Sequence, residues 1–155
     1  MHAKTIAGAA GTTFATVSLA VLTAAAAGAA PASESYGNQQ KLDGAGGAVT
    51  AWTAVDQLHP STDTLSVPVK GTLYEATATV QAVQGTAIPV VTDFNARTAA
   101  GADYRAVPAP TATGVSPAPL DAGASNTGKI YFDVTGPAPE SVVYNNGGQD
   151  LLVWK

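Results

Sequence analysis

The chain of 155 residues has seven Lys and Arg against eleven Asp and Glu, two His and no Cys, and its formal net charge is −4. Such an acidic, thinly charged chain argues against nucleic acid and anionic membranes as partners, because both require clustered Lys and Arg. Without cysteine the chain forms no disulfide and no thiolate zinc site.

Residues 1–32 have the pattern of a secretory signal peptide. Lys4 precedes an apolar run from Phe14 to Ala30, and no acid occurs before Glu34. We predict cleavage after Ala32, with the triplet Ala27-Gly28-Ala29 as the alternative site. A retained membrane anchor is disfavoured because Thr, Ser and Gly interrupt the run. We therefore expect a secreted, extracellular domain of 123 residues with no stable membrane insertion.

The first half of this domain alternates in the manner of β-strands. Residues 33–47 are polar and Gly-rich, and they predict a loose arm or an edge strand before a domain at 48–155. Residues 48–58 read as a strand, followed by a turn at His59–Asp63. From Gly71 to Gln84, apolar residues alternate with polar ones over a length that predicts a long strand.

Residues 94–105 predict a hairpin in which Gly101 takes the left-handed position of a three-residue turn. Counting outward places Ala96 opposite Tyr104 and Arg97 opposite Asp103. An exposed Arg97–Asp103 ion pair would contribute well under about 1 kcal/mol, so its expected use is to hold the register.

The Pro-rich segment 106–127 is too long for an ordinary connection in a compact domain. Either Val115 and Leu120 anchor short extended pieces against the core, or the segment is a functional loop. After it, the alternation in 129–134 places Ile130, Phe132 and Val134 inward and Lys129, Tyr131 and Asp133 outward. Asn146-Gly147 then signals a hairpin that leads into the last strand, 150–154.

About seven strands with no helical periodicity predict one all-β domain, an antiparallel β-sandwich. The Cys, Trp, Cys signature of antibody domains is absent, so the pattern indicates the architecture alone.

Candidate catalytic groups are few. His59 is the one histidine after residue 32, and Asp56, Ser61 and Asp63 beside it supply the residue types of a Ser-His-acid triad. Residues so close along one turn seldom converge, and we expect a solvated turn histidine. For carboxylate-pair catalysis the candidates are Glu75, Asp93, Asp133, Glu140 and Asp150. Apart from Glu140, which lies in a turn, they occupy polar strand positions expected to face solvent.

Metal and cofactor signatures are weak. Acids near Asn145 or Asn146 could hold calcium loosely, but no EF-hand loop is present, and no glycine pattern predicts a nucleotide site. We predict no catalytic, metal or cofactor-binding residue. Tyr131 and Trp154 are the rings most expected to be exposed, the alternative being that each covers an edge of the core. With Pro108 and Pro110 of the Pro-rich segment they form the predicted interaction surface.

The blocks "EATATV", "FNART" and "GKIYFDVTGP" resemble the small secreted mycobacterial immunogenic antigen family, and the resemblance extends from about Leu42 to the end. It implies an immunoglobulin-like, telokin-like sandwich of about seven to nine strands, export, and recognition by the immune system of a host. It implies no catalytic residues. The Gly-Ala-rich start at 43–47 and the Pro-rich loop at 107–119 depart from the family pattern.

We therefore expect a secreted, non-catalytic module that interacts with a protein or cell surface, with a host surface among the candidates, as a monomer or weak dimer. Two alternatives stay open. One is a small carboxylate-dependent or metal-dependent hydrolase, and the other is an envelope carrier that holds an apolar ligand between its sheets.

Overall fold

A computed structural model describes residues 31–109 and 111–155. The predicted signal peptide therefore lies, apart from its last two residues, outside the described residues, as does Pro110. Within them the chain forms ten strands and two short 3-10 turns, at Ala45–Gly47 and Val91–Asp93. The strands are β1 Ser33–Glu34, β2 Gln39–Asp43, β3 Val49–Ala54, β4 His59–Pro60, β5 Thr72–Gln84, β6 Phe94–Arg97, β7 Asp103–Arg105, β8 Ser125–Val134, β9 Ser141–Asn145 and β10 Asp150–Trp154.

The strands form two sheets that pack face to face. Sheet A has the order β1-β10-β9-β6-β7, and sheet B has the order β2-β3-β5-β8, with the short strand β4 paired to β5 beside β3. Every pairing is antiparallel except that of β1 with β10. The predicted β-sandwich is thus confirmed, with ten strands because two of them contain only two residues each.

The chain crosses from one sheet to the other at both edges. Segment 33–47 contributes β1 to the edge of sheet A and β2 to the edge of sheet B. On the opposite side, the chain passes from β7 to the edge of β8. The amide of Ala106 still donates to the carbonyl of Phe94 in β6, and the next amide, that of Val107, donates to the carbonyl of Tyr131 in β8. These crossings cover strand edges that would otherwise present unpaired main-chain groups.

Four aromatic rings fill the space between the sheets. Phe94 lies edge-on to Trp52 and to Tyr144, with ring centroids 4.9 Å apart in both pairs, and it stacks on Trp154 at 6.4 Å. The predicted exposure of Trp154 is wrong, because its side chain is 0% exposed and its indole donates a 2.8 Å bond to the carbonyl of Asn38. Strand β10 lies between β1 and β9 and turns Trp154 into the core.

The predicted register of the first hairpin is confirmed. Ala96 pairs with Tyr104 and Arg97 with Asp103, and Gly101 has a φ of 87°. The second hairpin joins β9 to β10 through residues 146–149, so its loop has four residues. Gly147 takes a left-handed φ of 91° there.

One connection differs from its prediction, and a second one decides between the two alternatives left open for the Pro-rich segment. The turn predicted at His59–Asp63 begins as a strand, because His59 and Pro60 pair with Glu75 and Tyr74 of β5. The Pro-rich segment is anchored: Val115 is buried, and Leu120 exchanges main-chain bonds with Ala87. Of the described residues, none belongs to a helix long and apolar enough to cross a membrane.

Candidate binding groove

An apolar groove of about 330 Å³ lies beside the outer edge of β8. Four pieces of chain form its walls, namely the segment before β6, two parts of the Pro-rich segment, and β8 itself. The residues that line it are Pro89, Val90, Val91, Thr92, Val107, Pro108, Ala109, Gly114, Val115, Pro117, Lys129, Ile130 and Tyr131. The groove contains none of the four rings between the sheets, so it is a separate cavity at the side of the sandwich.

A glycine in β8 allows the Pro-rich segment to close this wall. The amide of Val115 donates to the carbonyl of Lys129 at 3.2 Å, and the amide of Lys129 donates to Thr113 at 2.8 Å. A Cβ atom on Gly128 would lie 2.3 Å from the carbonyl carbon of Gly114, which is far inside van der Waals contact. Glycine at 128 is therefore required by the close approach of the two main chains.

Large apolar side chains are exposed on the segment that enters the groove. Ile88 is 65% exposed and Val90 is 39% exposed, and Pro89 between them is buried. Pro108 is also exposed and lines the groove from the opposite wall. An apolar rim around an apolar concavity is typical of a binding surface.

Tyr131 is buried, so its predicted exposure is wrong. Its side chain is 2% exposed, because the Pro-rich segment covers the outward face of β8 at this point. Its hydroxyl donates to Oδ2 of Asp63 at 2.7 Å and contacts Oγ1 of Thr113 at 3.0 Å. Burial raises the pKa of Tyr131, so the ring is a neutral hydrogen-bonding group at neutral pH.

Lys129 lies at the centre of a polar network on the outer face of sheet B. Its Nζ is 2.7 Å from Oδ2 of Asp63 and 3.0 Å from Oε1 of Glu75. Both carboxylates raise the pKa of Lys129, and the Lys129 hydrogen bond lowers the pKa of Asp63. The ammonium is therefore fully paired, and the three side chains together carry one negative charge.

Glu75 is 7% exposed, although its place in the alternating strand predicted a solvent-facing side chain. Burial by itself would raise the pKa of Glu75, but hydrogen bonds from Ser61 and Lys129 outweigh this effect and lower it. Segment 61–63 folds over the carboxylate, which is why the strand's polar face is covered there.

His59 and Ser61 do not form a catalytic pair. His59 Nε2 lies 3.2 Å from Oε1 of Glu75, and Ser61 Oγ donates to the other oxygen of the same carboxylate. The acid thus separates the hydroxyl from the imidazole, whereas nucleophile activation requires a direct hydroxyl-to-imidazole bond. His59 lies at the surface, as the sequence predicts.

Two other candidate carboxylates, Asp133 and Asp150, have hydrogen-bond partners outside the Lys129 network. Asp133 accepts bonds from the amides of Lys70 and Gly71, at 2.9 and 2.7 Å. Asp150 bonds Arg97, which also holds Asp103 through two bonds of 2.7 and 2.9 Å. Among the residues that the structure describes, no group of three or more His, Asp or Glu side chains could hold a metal ion.

Only two of the four predicted interaction residues therefore lie at the groove. Pro108 and Tyr131 both line the groove, Trp154 lies in the core, and Pro110 falls outside the described residues. Sequence reasoning missed Ile88 and Gly128. A glycine inside a strand pattern indicates close approach of another main chain, and this signal was available at Gly128.

Comparisons with known proteins find the same domain elsewhere. A domain of unknown function, DUF1942, matches residues 31–154. Over 114 residues the chain is 45% identical to the immunogenic proteins MPB63 of Mycobacterium bovis and MPT63 of Mycobacterium tuberculosis, which covers 73% of this chain and 72% of each relative. The crystal structure of MPT63, a secreted protein from Mycobacterium tuberculosis, matches with a TM-score of 0.77 at 42% identity and covers 83% of this chain and 99% of that one.

Proposed function

The chain belongs to the DUF1942 family and is a secreted protein related to MPT63, and from this we propose that it is a non-catalytic module that binds a partner protein or cell surface. The observation that carries the proposal is a pair of exposed apolar side chains, Val90, which lines the groove, and Ile88, which lies two residues before it. Exposed apolar side chains grouped beside a concavity mark binding surfaces more often than scattered ones do. The relatives are named immunogenic proteins, and we include in the proposal that this chain is immunogenic as well.

The arrangement of polar groups supports a binding role over hydrolysis. His59 and Ser61 both contact Glu75, and Lys129 is neutralised by two carboxylates, so in the described part of the chain the Ser61 hydroxyl has no bond to an imidazole that could activate it. The network instead ties segments 61–63 and 111–113 to β8. Its effect is to hold the outer wall of the groove in one conformation, which reduces the entropy lost when a partner binds.

A binding assay tests this function directly. The secreted protein, labelled at low stoichiometry, is titrated onto intact animal cells and onto mycobacterial envelope fractions. Saturable binding with a Kd of about 1 μM or tighter, competed by unlabelled protein, is the expected result. Ile88→Asp should weaken it about tenfold or more, because a charge replaces an apolar contact at the rim.

The matched control is Val55→Asp, since Val55 is 43% exposed and does not line the groove. It should bind like the unmodified protein. Binding that does not saturate on any surface, or equal loss in the two variants, contradicts the proposed function.

A further inference from the structure

We propose that the groove binds an uncharged hydrocarbon group of about the size of two fused six-membered rings. The inference rests on the proposed function, because it names the chemistry that the same groove recognises. It is carried by the volume of the cavity, the charges on its wall, and the hydrogen bonds already made by its main chain.

The volume sets the size of the occupant. An apolar cavity of about 150 Å³ in a protein holds one benzene ring. The groove encloses about 330 Å³, close to twice that volume, and lies at the lower end of the range for ligand sites. A group with two rings, or a branched chain of similar bulk, therefore fills it without leaving a large void.

The charges on the wall exclude an ionic occupant. Of the thirteen residues that line the groove, Lys129 is the one with a charged side chain. Its ammonium is held at 2.7 Å by Asp63 and at 3.0 Å by Glu75, which leaves a net negative charge behind the wall. A carboxylate or phosphate entering the groove would lose its hydration and gain no free cation in exchange.

Where β8 and the Pro-rich segment form the wall, the main chain has little hydrogen bonding to offer a ligand. The amide of Val107 donates to the carbonyl of Tyr131, and the amide of Val115 donates to that of Lys129. The amide of Lys129 in turn donates to the carbonyl of Thr113. The hydroxyl of Tyr131 is likewise occupied by Asp63 and Thr113. On this side of the groove recognition therefore depends on apolar contact with the Val, Pro and Ile side chains, which suits a hydrocarbon.

The wall is also stiff, so a ligand meets a formed site. Pro89, Pro108 and Pro117 fix their own main-chain φ angles, and Val side chains have few rotamers. Little side-chain entropy is lost when such a surface is covered.

The test uses Prodan, an uncharged probe built on a single naphthalene whose emission shifts to the blue in apolar surroundings, with the secreted protein. We expect saturable binding by the unmodified protein. Val90→Asp should raise the Kd of the probe about tenfold, because it places a carboxylate at the mouth of the groove. Val83→Asp is the matched control, since Val83 is 43% exposed against 39% for Val90 and lies outside the groove, and its Kd should stay within about twofold.

Competition on the unmodified protein keeps the test independent of any variant. Decan-1-ol should displace the probe, and decanoate should need about tenfold higher concentration. Absence of saturable probe binding, equal losses in both variants, or equal competition by the alcohol and the carboxylate would overturn the inference. Probe binding is measured without cells, so its failure alone rejects the hydrocarbon site, whereas failed cell binding with intact probe binding rejects the interaction function.

Discussion

The hydroxyl of Tyr131 lies 2.7 Å from Oδ2 of Asp63. Through this bond a buried ring on β8 holds the segment that follows β4, and through its contact of 3.0 Å with Thr113 it also holds the Pro-rich segment. Main-chain atoms of the same strand bond Val107 and Val115. The polar network and the apolar groove are thus two sides of one covered strand edge, and a change at Tyr131 affects both.

Tyr131→Phe should lower the free energy of unfolding by about 1 to 3 kcal/mol, because Asp63 and Thr113 lose a partner in a largely covered site. Urea denaturation followed by tryptophan fluorescence measures it. Tyr74→Phe is the matched control, since the Tyr74 hydroxyl has no hydrogen-bond partner among the described residues, and it should cost less than about 0.5 kcal/mol. Equal losses in the two variants would contradict a structural role for the Tyr131 hydroxyl.

The stability of the protein should fall in acid, with Asp150 as one cause. The hydrogen bonds from Arg97 lower the pKa of Asp150 in the folded state. A carboxylate with a lowered folded pKa contributes stability above its unfolded pKa of about 3.9, and that contribution is lost as the pH falls through the folded value. Denaturation midpoints measured from neutral pH down to about pH 3 should therefore decrease, and the decrease should be smaller in Asp150→Asn.

A double-mutant cycle separates this pair from the other carboxylates. Arg97→Gln should also reduce the acid dependence, and the double variant should show no further reduction beyond either single change. Additive effects of the two substitutions on the pH dependence would show that Asp150 and Arg97 act independently.

Local pattern was enough to predict much of the sheet structure. The register of β6 against β7 follows from one left-handed glycine, Gly101, because a turn of fixed length sets which residues face each other. The inward set on β8, Ile130, Phe132 and Val134, follows from side-chain alternation alone. Both signals lie within about a dozen residues of the positions they determine.

The candidate site depends on contacts that are distant in sequence. Alternation places Tyr131 and Glu75 on an outward face, but it does not reveal that segments 61–63 and 111–115 cover that face. Trp154 shows the same limit, because its burial depends on β1 and β2 at the other end of the chain. Sequence reasoning therefore located most of the strands, took β4 for a turn, and assigned the wrong exposure to both rings.

Trp154→Phe tests the contact between the last strand and Asn38, the residue before β2. The substitution removes the 2.8 Å bond to the carbonyl of Asn38 and leaves a void in the core, so it should lower the free energy of unfolding by about 2 to 4 kcal/mol. Trp52→Phe makes the same change at another buried indole, one whose N–H has no hydrogen-bond partner among the described residues, and should cost about 1 kcal/mol less. Urea denaturation followed by circular dichroism compares the two, and an equal or larger loss in Trp52→Phe contradicts the role of the Asn38 bond.

Gly128→Ala should displace the Pro-rich segment and open the groove. The added methyl group would meet the main chain of Gly114 and Val115 at 2.3 and 2.4 Å, and main-chain atoms hydrogen-bonded to β8 cannot yield without breaking those bonds. We expect the free energy of unfolding, measured by urea denaturation, to fall by about 1 to 3 kcal/mol. We also expect faster amide hydrogen exchange at Val115 and Lys129. Gly44→Ala is the control, because its methyl group would lie 3.5 Å from the nearest atom and should change stability by less than about 0.5 kcal/mol. Unchanged exchange at Val115 in Gly128→Ala would show that the segment is not held by its approach to β8, and the groove would then need another explanation for its closed wall.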